Sequence, residues 1–200
     1  IRDRLRSRGL GDVYKRQHGD SEGAKIGMGW PERRDIAGWI KLILSWDPDA
    51  RIILHGVSMG AATVLMASGE TLPENVKAVI ADCGYTSEWD EFIWEAETLH
   101  IPWFPVLNAA SLLSKLRDGY DFKQASALEQ VKKSDIPTLF IHGTEDELVP
   151  YKMLGELFSA AACEKESLTV EGAGHALSSS VNPELYWSRV ERFIEKHIGS

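Results

Sequence analysis

Three side chains of types that act together in nucleophilic catalysis each follow a separate apolar run of the sequence. Ser58 lies between two glycines in HGVSMG, Asp146 lies in HGTEDELVP, and His175 lies in EGAGHALS. A serine hydroxyl is a weak nucleophile until a neighbouring base takes its proton, and a histidine base needs a further group that orients it. These three residues are therefore candidates for nucleophile, base and orienting acid.

The spacing Gly-x-Ser-x-Gly is a weak signal by itself, because small residues are also common in ordinary turns. Its context is more specific, since the apolar run RIILH precedes the serine and the helix-forming segment AATVLMAS follows it. In a strand-to-helix turn, side chains two positions away from the serine would collide with neighbouring backbone, so both positions favour glycine. Such a turn places the hydroxyl at the N-terminus of the helix, where free N–H groups stabilise developing negative charge.

Apolar and helical patterns alternate along the rest of the chain. Short apolar runs bounded by turn residues predict buried strands at RIILH, VKAVIADC, IPTLFIHG and KESLTVEG. Helical spacing predicts helices at PERRDIAGWIKLILSW, AATVLMASG, YKMLGELFSAA and VNPELYWSRVERFIEKHI, and residues 87–133 are expected to be helical but irregular. This alternation predicts an α/β fold with a mainly parallel sheet of about four strands, flanked by helices.

Four motifs in one order resemble the α/β-hydrolase superfamily. They are HGDSEG, HGVSMG, HGTEDELVP and GAGHA, and the resemblance covers residues 18–200. It is greatest to the branch of small bacterial serine hydrolases related to the serine-aminopeptidase and Bem46-like groups. The resemblance implies a partial α/β-hydrolase fold, in which the predicted strands correspond to strands five to eight of the complete sheet. It also implies a helical cap insertion at about residues 87–133.

The same resemblance implies the roles of the site residues. Ser58 corresponds to the nucleophile and His175 to the general base and then acid, while Asp146 fixes the imidazole tautomer and stabilises its charged form. The backbone N–H of Met59 corresponds to one donor of the oxyanion hole. These roles imply a serine hydrolase that needs neither a metal nor an organic cofactor.

The reaction implied is cleavage of an ester, thioester or amide bond through an acyl-enzyme on Ser58. A carboxylesterase is the leading expectation. Peptidase activity and acyltransferase or thioesterase activity of the same fold stay open. A non-catalytic binding protein is a further alternative, because a fold does not fix a function.

Other acids and histidines compete with the candidate pair. Glu145 and Glu147 flank Asp146 in the same loop, but only Asp146 fits the family spacing GxxDxxVP. His55 and His142 each precede a glycine at a predicted strand end, and we expect both to be packed, hydrogen-bonded histidines rather than catalytic ones.

Aromatic residues are concentrated around the start of the predicted cap. Tyr85, Trp89 and Phe92 are the candidate substrate-binding residues there, because an apolar acyl pocket would be lined by such side chains. The same aromatic patch, which continues to Trp103 and Phe104, is also consistent with a small core of the cap itself. For the patch as a whole, the core is the interpretation that we favour.

Composition limits the partners. A chain of 200 residues that is 44% hydrophobic fits one globular domain with a core of its own. Its net charge of −8 argues against general affinity for nucleic acid or anionic lipid, so we expect a small neutral or cationic acyl substrate and no nucleic-acid partner. Membrane association and cellular location stay open, with a slight preference for the cytoplasm.

Cysteine and histidine spacing predicts no metal site. The sequence lacks CxxC, HxH and HExxH patterns, which are typical of metal ligands on neighbouring positions. Cys83 and Cys163 are therefore expected to be reduced and structural.

The first 17 residues differ in character from the others. They contain six Lys/Arg and two Asp/Glu, a net charge of +4, and no apolar run typical of a secretory signal. Their string DVYKRQ resembles the translation of an adapter used in preparing sequencing libraries. We expect residues 1–17 to be a non-native or disordered leader, and residues 18–200 to be the C-terminal part of an α/β-hydrolase domain.

The 200-residue chain by itself is expected to be a poor catalyst. In the family, the second oxyanion donor comes from a loop that precedes HGDSEG, and no such loop is recognisable before His18. Losing one donor costs about 10²–10³ in rate, and a smaller sheet buries a smaller core. A fluorophosphonate probe should therefore label the chain slowly or not at all. Rapid labelling that depends on Ser58 would contradict this expectation.

Overall fold

The computed structural model describes residues 26–198, where helices alternate with strands. The predicted leader and the motif HGDSEG lie outside the described residues. The strands are β1 (Ile52–Val57), β2 (Val76–Asp82), β3 (Thr138–Gly143) and β4 (Lys165–Val170). The helices are α1 (Glu32–Trp46), α2 (Met59–Ser68), α3 (Glu88–Thr98), α4 (Val106–Asp118), α5 (Ala127–Val131), α6 (Lys152–Ala160), α7 (Ser178–Val181) and α8 (Pro183–Ile198).

The four described strands form one parallel sheet in the order β1-β2-β3-β4. This confirms the predicted α/β class and the mainly parallel sheet. The central strands β2 and β3 are buried along nearly their whole length, as their continuous apolar runs predict. Among the described strands, β1 and β4 lie at the edges, and both alternate between buried and exposed positions in part.

Helices cover both faces of the sheet. Because successive side chains of a strand point to opposite faces, Val79 and Phe140 pack in one core cluster, with residues of α1, α2 and α6. Ile80 and Ile141 pack in a second cluster, with residues of α8. The core therefore consists of two apolar layers, one on each side of the sheet.

The closing helix α8 has one apolar side, which agrees with the helical spacing of its sequence. Tyr186, Val190, Phe193 and His197 are buried, and Ile194 is half-buried. The short helix α7 was not among the predicted elements, because its sequence SSSV has no apolar period. Within the described residues, no helix combines the length and the apolar character that crossing a membrane requires.

Residues 87–133 contain three helices, in agreement with the irregular helical pattern. Helix α3 begins after Ser87, whose Oγ accepts a hydrogen bond from the Asp90 N–H and caps the helix. Helix α4 is followed by Gly119, which has a left-handed φ of 83° and caps the helix. Aromatic rings of this segment pack on one another, with Phe92 5.0 Å from Phe122 between ring centroids.

Two glutamates of α3 are buried without a full set of partners. Glu88 and Glu91 lie one turn apart and are each 3% exposed, and Oε2 of each has no hydrogen-bond partner among the described residues. Burial, reinforced by the charges of Glu32 near Glu88 and of Glu95 near Glu91, raises the pKa of both carboxyl groups from 4.5 to about 8. Both side chains are therefore largely protonated at neutral pH.

These two carboxyl groups should make the stability fall as the pH rises. Between a pH of about 4.5 and 8, the unfolded chain gives up both protons while the folded protein keeps them, so folding becomes less favourable. The double variant Glu88→Gln/Glu91→Gln removes this titration. Its gain in Tm over the unmodified protein should be larger at pH 8 than at pH 5 by at least about 3 °C in calorimetry.

The exposed Glu97 of the same helix supplies the matched control, because Glu97→Gln changes the same group in solvent. Its effect on Tm should be small at both pH values. A gain for the double variant that is the same at both pH values would contradict the proposed protonation of Glu88 and Glu91.

Candidate active site

Ser58, His175 and Asp146 come together at the carboxyl ends of three strands. Ser58 follows β1, Asp146 follows β3, and His175 follows β4. His175 Nε2 lies 2.7 Å from Ser58 Oγ, and His175 Nδ1 lies 3.1 and 2.9 Å from the two carboxylate oxygens of Asp146. Because an ionised carboxylate only accepts, Nδ1 carries the proton and Nε2 is left to accept the hydroxyl proton of Ser58. The structure thus places the three predicted residues in one hydrogen-bonded chain.

The backbone at Ser58 is in a sparsely populated conformation, with φ 56° and ψ −123°. The turn is held on both sides, because the Ser58 N–H donates to the Asp82 carbonyl at 2.8 Å and the Ser58 carbonyl accepts from the Ala62 N–H at 3.0 Å. A Cβ at Gly56 would lie 2.2 Å from the carbonyl oxygen of Gly60. The predicted requirement for glycine before the serine therefore arises from a direct contact between two backbone segments.

Met59 is the first residue of α2. The first N–H groups of a helix have no acceptor within the helix, and the first helical bond here is the one from Ala62 to Ser58. The Met59 N–H is therefore at the helix start, next to the Ser58 hydroxyl in sequence. This is the position in which the sequence analysis expects an oxyanion donor.

Asp146 is buried and held by several donors. Its Oδ1 accepts from the N–H groups of Leu148 and Val149 at 3.1 and 2.9 Å, and its Oδ2 lies 3.2 Å from His142 Nε2. Burial raises the pKa of Asp146, but hydrogen bonds from His142, His175 and Val149 outweigh it and hold the pKa well below its usual range. Asp146 is therefore ionised at neutral pH.

The competing residues of the sequence have other surroundings. Glu145 and Glu147 are exposed. His142 is buried, with Nε2 3.0 Å from the Val149 carbonyl, so it supports the Asp146 loop. His55 is hydrogen-bonded as expected, with Nε2 3.1 Å from the Tyr186 hydroxyl and its ring edge-on to Trp187, but it is exposed rather than enclosed.

Cys83 is the site neighbour that the sequence analysis missed. It follows β2 directly, has a φ of 48° and is 1% exposed. Its Sγ, one carboxylate oxygen of Asp146 and one ring nitrogen of His175 all lie within 4.8 Å of one another. Burial, together with the charge of Asp82, raises the pKa of the Cys83 thiol to about 12, so the thiol is neutral. The strand order contains the signal, because the residue after β2 must lie between the residues after β1 and β3.

Asp82 connects the nucleophile to the histidine loop. Its backbone carbonyl accepts from the Ser58 N–H, and its carboxylate accepts from the Ser178 hydroxyl at 3.1 Å. Burial raises the pKa of Asp82 to about 6, although hydrogen bonds from Ser178 and Tyr186 oppose the rise. Since Ser178 lies three residues after His175, this buried contact fixes the loop that carries the imidazole.

The three aromatic candidates have different positions. Tyr85 is 2% exposed, belongs to the core cluster on the α2 face and donates its hydroxyl to the Met28 carbonyl. The structure therefore corrects the expectation for Tyr85, because a closed core residue has no surface left for a substrate. Trp89 packs edge-on against Trp103. Phe92 lines an open apolar cavity of about 360 Å³ between α3 and α4.

Sequence comparison matches residues 38–200 to the profile of the prolyl oligopeptidase family. The chain belongs to this family. Among known relatives, YqkD of Bacillus subtilis is 29% identical over 182 residues, which are 90% of this chain and 60% of YqkD. The human α/β-hydrolase domain-containing protein 17C is 27% identical over 179 residues, 86% of this chain and 46% of that protein. The chain therefore spans about half to three fifths of the length of these relatives.

The fold is similar to that of a solved hydrolase structure. The esterase Pf2001 of Pyrococcus furiosus superposes with a TM-score of 0.70 at 24% identity, over 91% of this chain and 68% of the esterase. The parallel sheet with flanking helices is thus a partial α/β-hydrolase fold, as the four motifs implied. Membership in the prolyl oligopeptidase family and this fold both indicate the α/β-hydrolase superfamily.

Substituting Gly56 should separate backbone fit from chemistry. Gly56→Ala places a methyl group against the Gly60 carbonyl, so we expect a loss of stability of about 3 kcal/mol or more and a loss of Ser58 reactivity. Gly155→Ala is the matched control, because a Cβ there meets nothing within 4 Å on helix α6. That variant should gain about 0.5–1 kcal/mol. Chemical denaturation measures both, and equal effects would contradict the contact.

Proposed function

We propose that the protein is a serine hydrolase that cleaves ester, thioester or amide bonds through an acyl-enzyme on Ser58, with carboxylic esters as the favoured substrates. The observation that supports it is the unbroken hydrogen-bond chain from Asp146 through His175 to Ser58. Each donor in this chain faces the acceptor that the reaction requires. No metal or organic cofactor enters the proposed reaction.

In the acylation step, Ser58 Oγ attacks the substrate carbonyl carbon while its proton moves to His175 Nε2. The ionised Asp146 stabilises the imidazolium that forms and keeps the other proton on Nδ1. The carbonyl oxygen becomes an oxyanion, and the N–H of Met59 at the start of α2 is the proposed donor to it. Collapse of the tetrahedral intermediate transfers the Nε2 proton to the leaving alcohol, thiol or amine.

Deacylation reverses these roles with water in place of the leaving group. His175 takes a proton from the water, the resulting hydroxide equivalent attacks the acyl carbon, and Ser58 receives the proton when the intermediate collapses. The side chain of His175 is 21% exposed, whereas that of Asp146 is fully enclosed. Water can therefore reach the base without competing for the carboxylate.

The triad does not distinguish esters, thioesters and amides. The proposed substrate class therefore depends on the residues around the triad and on the similarity to known proteins. We propose that the apolar cavity lined by Phe92 receives the acyl group, and that residues 87–133, within which the cavity lies, form the cap. Of the aromatic candidates, Phe92 and Trp89 stay in the proposal as substrate contacts. Similarity to an esterase fold favours esters, whereas membership in the prolyl oligopeptidase family favours a peptidase as the main alternative. An acyltransferase or thioesterase uses the same three residues.

The finer lineage is also a proposal. We place the protein near the serine-aminopeptidase and Bem46-like hydrolases because of its four motifs. A panel of short and long p-nitrophenyl esters beside aminoacyl p-nitroanilides distinguishes the esterase from the peptidase. A higher kcat/KM for the esters supports the favoured reading, and a higher value for the anilides supports the alternative.

Replacing the triad should remove covalent labelling by a fluorophosphonate. Ser58→Ala should abolish it, and Asp146→Asn should slow it by about 10³–10⁴ because the imidazole then adopts the wrong tautomer. Glu147→Gln is the matched control and should keep the rate within about twofold, since Glu147 is exposed in the same loop. Labelling is followed over hours and the rates of the variants are compared as ratios. A chain that is labelled slowly therefore still distinguishes the variants.

Two results would count against the proposal. Labelling of the Ser58→Ala variant at the unmodified rate would show that another residue reacts. A cellular phenotype that survives Ser58→Ala would instead favour the non-catalytic binding protein, which needs the fold but not the hydroxyl.

A further inference from the structure

We propose that Cys83, Asp146 and His175 form a binding site for Zn²⁺, and that zinc bound there inhibits the hydrolase. The inhibition rests on the proposed function of Ser58. The binding site itself rests on three side chains of the described residues. It is a regulatory site that shares Asp146 and His175 with the triad, and zinc itself takes no part in the proposed reaction.

The three donor atoms are already close to one another. Cys83 Sγ, a carboxylate oxygen of Asp146 and a ring nitrogen of His175 lie within 4.8 Å of one another. Around a tetrahedral zinc, bonds of about 2.0–2.3 Å place the donor atoms about 3–4 Å apart. His175 Nδ1 is already 2.9 Å from Asp146 Oδ2. Only the Cys83 sulfur must therefore come closer to these two atoms, by a shift of about 1 Å of the thiol or of the imidazole.

The set of donors selects zinc among the common divalent cations. A thiolate and an imidazole suit Zn²⁺, whereas Mg²⁺ and Ca²⁺ prefer oxygen ligands. Three protein ligands leave a fourth position for water.

Access is from the histidine side. Cys83 is 1% exposed and Asp146 is 6% exposed, but the side chain of His175 is 21% exposed and borders the site. A rotation of the imidazole therefore opens the path to the two enclosed ligands. Cys163, the other thiol, lies apart from this cluster, with its Sγ 3.6 Å from Thr138 Oγ1.

Binding of zinc would stop proton transfer by changing the imidazole tautomer. Zinc displaces the thiol proton of Cys83 to water, and it takes the position on Nδ1 of His175 that the proton held. That proton moves to Nε2, which then donates to Ser58 Oγ instead of accepting from it. The base of the proposed reaction is thereby lost while Ser58 itself stays intact.

Zinc binding is measured first, without reference to activity. The whole 200-residue chain, kept reduced by a phosphine, is dialysed against ZnCl₂ beside Cys83→Ala and the matched control Cys163→Ala. We expect Cys83→Ala to weaken the affinity of one zinc equivalent by at least about tenfold, and Cys163→Ala to leave it unchanged. With Co²⁺ in place of zinc, the thiolate-to-cobalt charge-transfer band should be absent from Cys83→Ala alone.

Inhibition is measured second, by fluorophosphonate labelling with and without ZnCl₂. Zinc should slow labelling of the unmodified chain and of Cys163→Ala, EDTA should restore it, and Cys83→Ala should respond at least about tenfold less. If Cys83→Ala fails to fold, Cys83→Ser keeps the shape and removes the thiolate.

The two measurements separate the possible failures. Zinc affinity that is equal in the unmodified chain and Cys83→Ala overturns the site. Binding that depends on Cys83 but leaves labelling unchanged overturns the inhibition. Labelling of the Ser58→Ala variant at the unmodified rate contradicts the proposed function, and the dialysis and cobalt spectra still decide the zinc site.

Discussion

The close approach of two backbone segments at Gly56 and Gly60 is the constraint on which the active site depends. With no Cβ at Gly56, the end of β1 lies against the first turn of α2, and Ser58 is forced to a φ of 56°. Such a conformation costs about 1–3 kcal/mol. Helix α2, which is buried at every position from Gly60 to Ser68, supplies the apolar contacts that hold the turn in place.

A second backbone contact of the same kind fixes the other end of the triad. A Cβ at Gly143 would lie 2.1 Å from the carbonyl oxygen of Ala173, so the loop that carries His175 rests directly on the end of β3. Asp82 then joins the two halves, because its carbonyl holds Ser58 and its carboxylate holds Ser178. The short distances of the triad are therefore set by β1, β2 and β3, and not by loops that find each other independently.

The sequence predicts the site residues that occupy a fixed spacing after a strand. It does not predict the residues that only the fold brings close to the triad. The turn around Ser58 and the order of serine, acid and histidine could be predicted, since each residue follows an apolar run. Cys83 and Asp82 carry no spacing signal, and only the strand order shows that they lie behind the triad. The aromatic residues that cluster near Tyr85 in the sequence predict a substrate surface, but the core of the α2 face encloses its side chain. The sequence of α3 contains no pattern that distinguishes its buried glutamates from its exposed ones.

Burial raises the pKa of each of these enclosed carboxyl groups, and the number of hydrogen-bond donors around a group decides whether it stays charged. Asp146 has two backbone N–H groups and two histidines around it, and its pKa lies well below the usual range. Asp82 has two hydroxyl donors and a pKa raised to about 6. Glu88 and Glu91, whose Oε2 atoms have no partner among the described residues, have pKa values raised to about 8. Because a charge persists only where donors surround it, the negative charge in this part of the chain is concentrated beside His175, where an imidazolium must be stabilised.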